Sequence, residues 1–540
     1  MKLNKLVVCI LSSALLYAAI LVYADRLDLL FCFVIEFIFI CVALNFITVA
    51  IIKRIVWGLY FVVLGIQAAS LFSSGQYLMP LALSNSAEFE ALGIKTFVKV
   101  VGVFLVFVLF SQVSVWRGRA TTNKIVNITF AIISLIVSFF AQGPIYELYT
   151  TVKYYYLQVT FKPNAKIGEA GNVFLKSNFF TQPIESSLNF KNYNVIVIFA
   201  EGISSEVIGK TNGRTFSVTP NIDRLKNEGI NFTNYFNHTA ATFRGLRGQL
   251  TSGFQYRDGV TNEGTGIDQL STTEIDNIYL HRQVSLPEIL TKFGYHNYFI
   301  ASTEKSSPLN TMLKTLRFDN VLGMGDFVGY QNDRMTDKQT FNALQDFLRS
   351  KEKDHERFFI GVYPSGTHHG QDSPNEKFSD GKNAYYNKFY NYDYQLGKFV
   401  DFFKNSSFYD NTLLVITTDH ATFPSTDYKK SFNSTAPFFV NRIPLIILGK
   451  NVKPQVVDAQ GTNSLSLAPT LLQMLGIQYS MNYFLGCSLF DATCNSAFSH
   501  STAIGDDFFM TNKDGTVTLL PYNDDSEAKH LIKQFYNISG

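Results

Sequence analysis

The chain is 540 residues long, more than one core of the usual ~100 to 200 residues accommodates, so at least two folded units are expected. Hydrophobic residues make up 47% of it and charged residues only 16%, against roughly 25% charged in soluble domains, which excludes a disordered chain and a wholly water-soluble one. Its 46 basic and 43 acidic residues leave a net charge of +3, too little cationic excess to neutralise a phosphate backbone, so no nucleic-acid partner is expected.

Five apolar windows, near 6–24, 29–52, 55–73, 97–116 and 125–141, approach the ~20 residues that cross a bilayer and predict a five-helix transmembrane domain over residues 1–142. No small-x-small cleavage pattern follows the first window, so it is expected to be retained as a span. Lys2 and Lys5, then Lys53 and Arg54, then Arg117, Arg119 and Lys124 occupy alternate loops. Basic loops stay on the cytoplasmic side, so five crossings put everything beyond residue 142 outside the cytoplasm. Glu36 lies inside the second window, where a carboxyl group is costly and is expected to pack against a partner in the bundle. Cys9, Cys32 and Cys41 fall in apolar windows, whereas Cys487 and Cys494 form a Cys-x6-Cys pair that an extracytoplasmic compartment permits to be bridged.

Residues 143–190, with Tyr146, Tyr149, Tyr154, Tyr155 and Tyr156, read as an interfacial linker. From residue 191 short β-branched runs alternate with helical patterns: NVIVIFA, NIDRLKNEG, FFIGVY, AYYNKFYNYDYQLGKFVDFFKN, TLLVITT, IPLIILG and SLSLAPTLLQMLG. That alternation predicts an α/β domain over 191–510 with a mostly parallel sheet covered on both faces, extended by residues 511–540.

In open α/β sheets ligands bind at the carboxyl ends of the strands. NVIVIFA ends in Glu201 and TLLVITT ends in Asp419 and His420. Two carboxylates and an imidazole on one sheet edge are the donor set of a divalent metal site, although Glu201 alone can cap a helix and Asp419 alone can open a turn. All nine histidines follow residue 237, so imidazole chemistry belongs to the outer domain. His368 and His369 follow FFIGVY in PSGTHHG, again at a carboxyl end. His238 opens NHTAATFRGLRG, where Thr239 or Thr242 sits at the start of a helical pattern, with Arg244 and Arg247 able to neutralise a phosphate. A plain helix cap with two solvated arginines is the competing reading of that stretch.

Strand-Glu-Gly-x-Ser-Ser, a Thr about 40 residues on in a small-residue run, Gly-Thr-His-His-Gly, and YDNTLLVITTDH followed by IPLIILG and SLAPTLLQMLG together resemble the sulfatase/alkaline-phosphatase superfamily. With five spans in front, the chain is similar to lipoteichoic acid synthases, periplasmic-glucan phosphoglycerol transferases and lipid A phosphoethanolamine transferases. The resemblance implies an alkaline-phosphatase-like sulfatase domain in which Glu201, Thr242, Asp419 and His420 hold a divalent metal, Zn2+ or Mn2+. It implies Thr242 as nucleophile, and His368 or His369 as the histidine that contacts the phosphoryl or leaving group. The cysteine that sulfatases mature to formylglycine has no counterpart, since no Cys lies between 42 and 486. What the resemblance implies is therefore head-group transfer from a phospholipid, phosphatidylethanolamine or phosphatidylglycerol, through a phosphothreonine to an envelope glycan or glycolipid, with a phosphodiesterase as the alternative. The enzyme is expected in a bacterial inner membrane, multi-pass, with its catalytic domain periplasmic. The outer loop QYLMPLALSNSAEFEALG offers Asn85, Glu88 and Glu90, and ASTEKSSPLN offers Glu304, as contacts for a cationic head group. These carboxylates point to phosphoethanolamine, with phosphoglycerol as the alternative head group, and a bridged Cys487–Cys494 pair points to a Gram-negative envelope and so to a lipopolysaccharide core or lipid A acceptor.

Overall fold

The computed structural model describes the chain apart from residues 1, 48, 85–93, most of 113–141, 161–168, 257–282, 328–333, 355, 437, 522–523 and 540. The chain divides into two compact units, Met1–Leu157 with Pro424–Tyr428, and Gln158–Phe423 with Lys429–Gly540.

The first unit contains the helices Lys2–Tyr23, Leu30–Phe46, Ala50–Ser74 and Ile94–Ser111 and most of Pro144–Thr160. Leu27–Leu44 and Ala50–Ser74 are long and apolar enough to cross a membrane, while Val8–Tyr23 and Phe97–Ser111 are shorter apolar helices. Of the five expected spans, two are thus matched in length and apolarity, and the window at 125–141 lies largely outside the described residues. Aromatic side chains fill the interior, with Tyr17 stacked on Phe33 at 4.2 Å and Trp57, Phe61 and Phe107 fully buried nearby. At Gly65 an added Cβ would lie 3.0 Å from the Phe104 ring, so the small residue is what lets the two helices approach. Buried Glu36 accepts the Ile145 N–H at 2.9 Å. It thereby caps the first turn of Pro144–Thr160, the packing role expected of it.

The second unit carries strands β1 (Lys176–Asn178), β2 (Asn194–Ala200), β3 (Ile230–Thr233), β4 (Tyr295–Glu304), β5 (Asn320–Met324), β6 (Arg357–Tyr363) and β7 (Thr412–Thr418). It continues with β8 (Leu445–Leu448), β9 (Gln455–Asp458), β10 (Tyr479–Asn482), β11 (Ser501–Ile504), β12 (Asp507–Thr511) and β13 (Val517–Leu519). Eight of these form one sheet in the order β5-β4-β6-β2-β7-β8-β3-β9. Strands β5, β4, β6, β2 and β7 are mutually parallel. Every residue of β2 and β7 is buried, as unbroken β-branched runs demand when both sheet faces are covered. The sheet is mixed rather than wholly parallel, because β8 runs antiparallel to both β7 and β3. Direction depends on the partner strand, and IPLIILG reads the same either way. Two reversals restore the sense, so β3 runs with β7. The carboxyl ends of β2, β3, β4, β6 and β7 therefore share one edge.

Helix starts on this unit follow local rules. Thr336 and Gln339 form a capping box for Asp337–Lys351, and Pro220 and Pro308 occupy first helical positions. Cys487 and Cys494 are joined in a disulfide. Between them Asp491 accepts the Thr181 hydroxyl at 2.8 Å, tying this loop to the segment that leads into the sheet.

Candidate active site

Adjacent strands β2 and β7 end in Glu201 and in Asp419 and His420, which are 4%, 0% and 5% exposed. Their donor atoms all lie within 4.8 Å of one another. The backbone locks them there: Asp419 Oδ1 accepts the N–H of Gly202 at 2.8 Å and of His420 at 2.7 Å. Around them Thr418 Oγ1 takes the Ile203 N–H at 2.9 Å and Thr422 Oγ1 takes that of Ser204 at 2.9 Å.

The first link to a third strand is Thr242. The chain leaves β3, crosses NYFNHTAA and starts the helix Thr242–Thr251 with Ala241 as a residue that supplies no side-chain cap. Ala241 has φ 71° and ψ 146°, a conformation costing a non-glycine residue about 1 to 3 kcal/mol, and such strain is kept where the surroundings enforce it. The result is that Thr242 Oγ1 donates to Glu201 Oε2 at 3.0 Å. Thr239 goes elsewhere, donating from full burial to the Ala503 carbonyl at 2.8 Å. His238 is also buried, with Nδ1 2.6 Å from Ser464 Oγ, and burial pushes its pKa down to about 3. Arg244 is only 3% exposed and acts electrostatically on His238 and Tyr536.

Glycine makes the helix fit. A Cβ at Gly245 would lie 2.3 Å from the Asp419 carbonyl oxygen, and no rotamer relieves a backbone clash. Gly245→Ala gains about 1 kcal/mol of helix propensity but incurs an overpacking cost of about 1 to 3 kcal/mol. The expected outcome is a lower melting temperature and weaker metal retention, read by calorimetry and metal analysis; an unchanged protein would mean that the helix can step back freely.

Strand β6 supplies the fourth side. Its last residue, Tyr363, donates its hydroxyl to Glu201 Oε2 and stands 3.4 Å from Thr242 Oγ1. Sequence reasoning passed over Tyr363, although its place at the carboxyl end of a buried strand was the available signal. The following loop gives the Thr367 hydroxyl to the Glu201 carbonyl. His368 lies close enough to lower the Glu201 pKa, and its Nδ1 is 2.9 Å from the His369 carbonyl. His369 Nδ1 lies 2.9 Å from the Tyr385 hydroxyl, and its ring is 4.8 Å from that of Phe423. Glu304 ends β4 on the same edge and is half-buried, with Oε2 on the Ser306 N–H at 3.0 Å. Asn85, Glu88 and Glu90 lie outside the described residues.

The electrostatics ask for a cation. Burial and the Glu201 charge raise the Asp419 pKa. Although burial opposes it, His420 is raised by Asp419 and Glu201. Burial also acts against ionised Glu201, yet His420, His368 and Tyr363 hold it well below the usual carboxylate range. A divalent ion satisfies this set. Asp419 Oδ2 is buried without a hydrogen bond. His420 Nδ1 is 2.7 Å from the Ala421 carbonyl, which leaves Nε2, 3.3 Å from Glu201 Oε1, as the ring nitrogen that would face a bound ion once deprotonated. Glu201, Asp419 and His420 thus fit a divalent metal, with the Thr242 hydroxyl on the same cluster.

Comparison with known proteins agrees with this architecture. A family model described as Sulfatase matches residues 193–477. Phosphoglycerol transferase I of Salmonella choleraesuis is 22% identical over 325 residues, 55% of this chain and 39% of that protein. The protein of the same name from Salmonella arizonae matches to the same extent. This chain thus spans about two fifths of the length of the curated relatives it matches. A protein in the alkaline phosphatase superfamily from Vibrio parahaemolyticus shares the fold with a TM-score of 0.53 and 20% identity, over 72% of this chain and 94% of that one. The lipoteichoic acid synthase LtaP from Listeria monocytogenes does so with a TM-score of 0.50 and 18% identity, over 66% and 93%.

Proposed function

Because the chain belongs to the sulfatase family, with an alkaline-phosphatase-like domain, we propose that it is a metal-dependent transferase of phospholipid head groups. The observation that carries this reading is the 3.0 Å hydrogen bond from Thr242 Oγ1 to Glu201 Oε2 inside the cluster with Asp419 and His420. Thr242 Oγ, its proton lost to solvent, attacks the phosphorus of the lipid phosphodiester as an alkoxide. The Thr242 O–P bond forms and the P–O bond to diacylglycerol breaks, the leaving oxygen taking a proton from His368 or His369. An acceptor hydroxyl then gives its proton to the same histidine and attacks the phosphothreonine; the acceptor O–P bond forms, the Thr242 O–P bond breaks, and Thr242 leaves as the alkoxide that began the cycle. When bound, a divalent ion, Zn2+ or Mn2+, supplies Lewis acidity that favours the alkoxide and offsets phosphoryl charge. Buried Arg244 adds positive potential from the helix that Thr242 begins.

For the head group, relatives named phosphoglycerol transferase favour phosphoglycerol over phosphoethanolamine. The carboxylates that argued for ethanolamine have no structural support: the Glu304 carboxylate is taken up by the neighbouring Ser306, and Asn85, Glu88 and Glu90 lie outside the described residues. The acceptor in this reading is an envelope glycan or glycolipid, with lipopolysaccharide core or lipid A as the candidates from the sequence. The domain reading remains a membrane domain of five helices over 1–142, a linker over 143–190, the catalytic domain over 191–510 and its extension over 511–540. The apolar N-terminal helices and the disulfide support a multi-pass protein of a bacterial inner membrane with a periplasmic catalytic domain.

Incubation of purified full-length chain with fluorescent phosphatidylglycerol or phosphatidylethanolamine tests the donor. Diacylglycerol is expected from phosphatidylglycerol, at least tenfold faster, a difference of about 1.4 kcal/mol in transition-state binding. Diacylglycerol from phosphatidylethanolamine alone would restore the phosphoethanolamine reading. Release from neither lipid would end head-group transfer as the function, and release of free head-group phosphate without added acceptor would indicate a phosphodiesterase.

A further inference from the structure

The helix Ala384–Lys404 carries a group that the mechanism above does not use. Tyr385, Lys388 and Asn391, spaced by three residues, lie on one face of it, and all three are buried. Lysines near a surface normally extend their ammonium into water, but Lys388 is 1% exposed. Among the described residues it makes no ion pair. Instead its Nζ donates to the His368 carbonyl at 3.0 Å and lies 4.1 Å from the centre of the Tyr385 ring, a cation–π distance. The Tyr385 hydroxyl is in turn the 2.9 Å partner of His369 Nδ1. Asn391 completes the face: its Nδ2 donates to Asp337 Oδ2 at 3.3 Å, and Asp337 Oδ1 accepts the Gly366 N–H at 2.8 Å. A Cβ at Gly366 would fall 2.4 Å from Asp337 Oδ2, so the loop is held closely at this point as well.

One helix face therefore grips the Ser365–Gly370 loop at Gly366, His368 and His369. The cation is the costly member of this set. Burial pushes its pKa down to about 7, against the pull of Glu201 and Asp372. A neutral donor would satisfy a single carbonyl with less desolvation, so packing alone gives no reason for an ammonium here.

We propose that Lys388 is a positioning residue for head-group transfer, fixing His368 through its carbonyl and His369 through the Tyr385 ring so that an imidazole faces the phosphoryl group at Thr242. This inference rests on the transfer reading above. The test uses purified full-length chain with fluorescent phosphatidylglycerol and compares wild type with Lys388→Met, Lys388→Arg, Tyr385→Phe and the Lys388→Met/Tyr385→Phe double variant. Lys388→Met, which keeps the stem and removes the charge, is expected to lower kcat by about tenfold or more, the scale of a displaced acid–base group, with KM within about threefold and metal content unchanged. Lys388→Arg should recover most of that loss, because it retains a cationic donor. Tyr385→Phe should lower kcat by about threefold, and the double variant should fall no further than Lys388→Met, as expected of residues acting through one loop. A wild-type kcat in Lys388→Met, no recovery in Lys388→Arg, or fully multiplicative losses in the double variant would each overturn the proposal. If Lys388→Met does not fold, Tyr385→Phe decides alone, and an unchanged kcat there counts against the proposal. Wild type inert toward lipid would remove the transfer reading together with this role, whereas active wild type with an unimpaired Lys388→Met would remove only the role.

Discussion

Thr242→Ala is expected to abolish lipid turnover, a loss on the order of 10³-fold or more as for other nucleophile deletions, while leaving the fold intact. The expectation follows from what the hydroxyl does in the structure. It contacts Glu201 Oε2 and stands beside Tyr363, and it contributes no cap to its own helix, so its removal costs one hydrogen bond of about 1 kcal/mol. Thr239→Ala should behave in the opposite way, losing some stability and little activity, because that hydroxyl bonds the Ala503 carbonyl. Intact-mass measurement of wild type quenched during turnover should show a head-group phosphate adduct, and peptide mapping should assign it to Thr242. An adduct on Thr239, or full activity in Thr242→Ala, would sink the nucleophile assignment.

Loss of the metal is the second large effect. Glu201→Ala, Asp419→Ala and His420→Ala are each expected to lose bound divalent ion and more than about 100-fold of activity, since even residues supporting a metal ligand often cost 10- to 100-fold. Chelation of wild type should do the same reversibly, with zinc or manganese restoring it. The readout independent of turnover is thermal: two buried carboxylates share this cluster, so a cation bound only by the folded chain should raise the melting temperature. Element analysis showing no bound metal in active protein, or chelated protein that remains fully active, would end the metal reading.

Tyr363, Lys388 and Asp337 show where sequence reasoning stopped. Glu201, Asp419 and His420 were legible because each follows an unbroken apolar run and so had to emerge at a strand's carboxyl end. Tyr363 ends such a run as well, but as an aromatic in FFIGVY it reads like core. Lys388 sits in a Tyr-rich helical pattern where a lysine reads as the solvated face; only the packing of that face against the His368 loop buries it. The choice between Thr239 and Thr242 was likewise undecided by residue type, since both are hydroxyls in one small-residue run.

The sequence by itself determined the local matters: alternating strands and helices, apolar helices at the amino terminus, and metal-type donors at two strand ends. These follow from periodicity and side-chain chemistry, which act over a few residues. Tertiary structure alone decided that β2 and β7 are neighbours, that β8 runs backwards between β7 and β3, and that Tyr363 reaches Glu201. Strand order and direction are fixed by hydrogen bonds between segments far apart in the chain, such as that from the Asp419 N–H to the Ala200 carbonyl. A buried side chain's partner is likewise fixed by which element packs over it. Neither leaves a mark within the few residues that a sequence pattern can read.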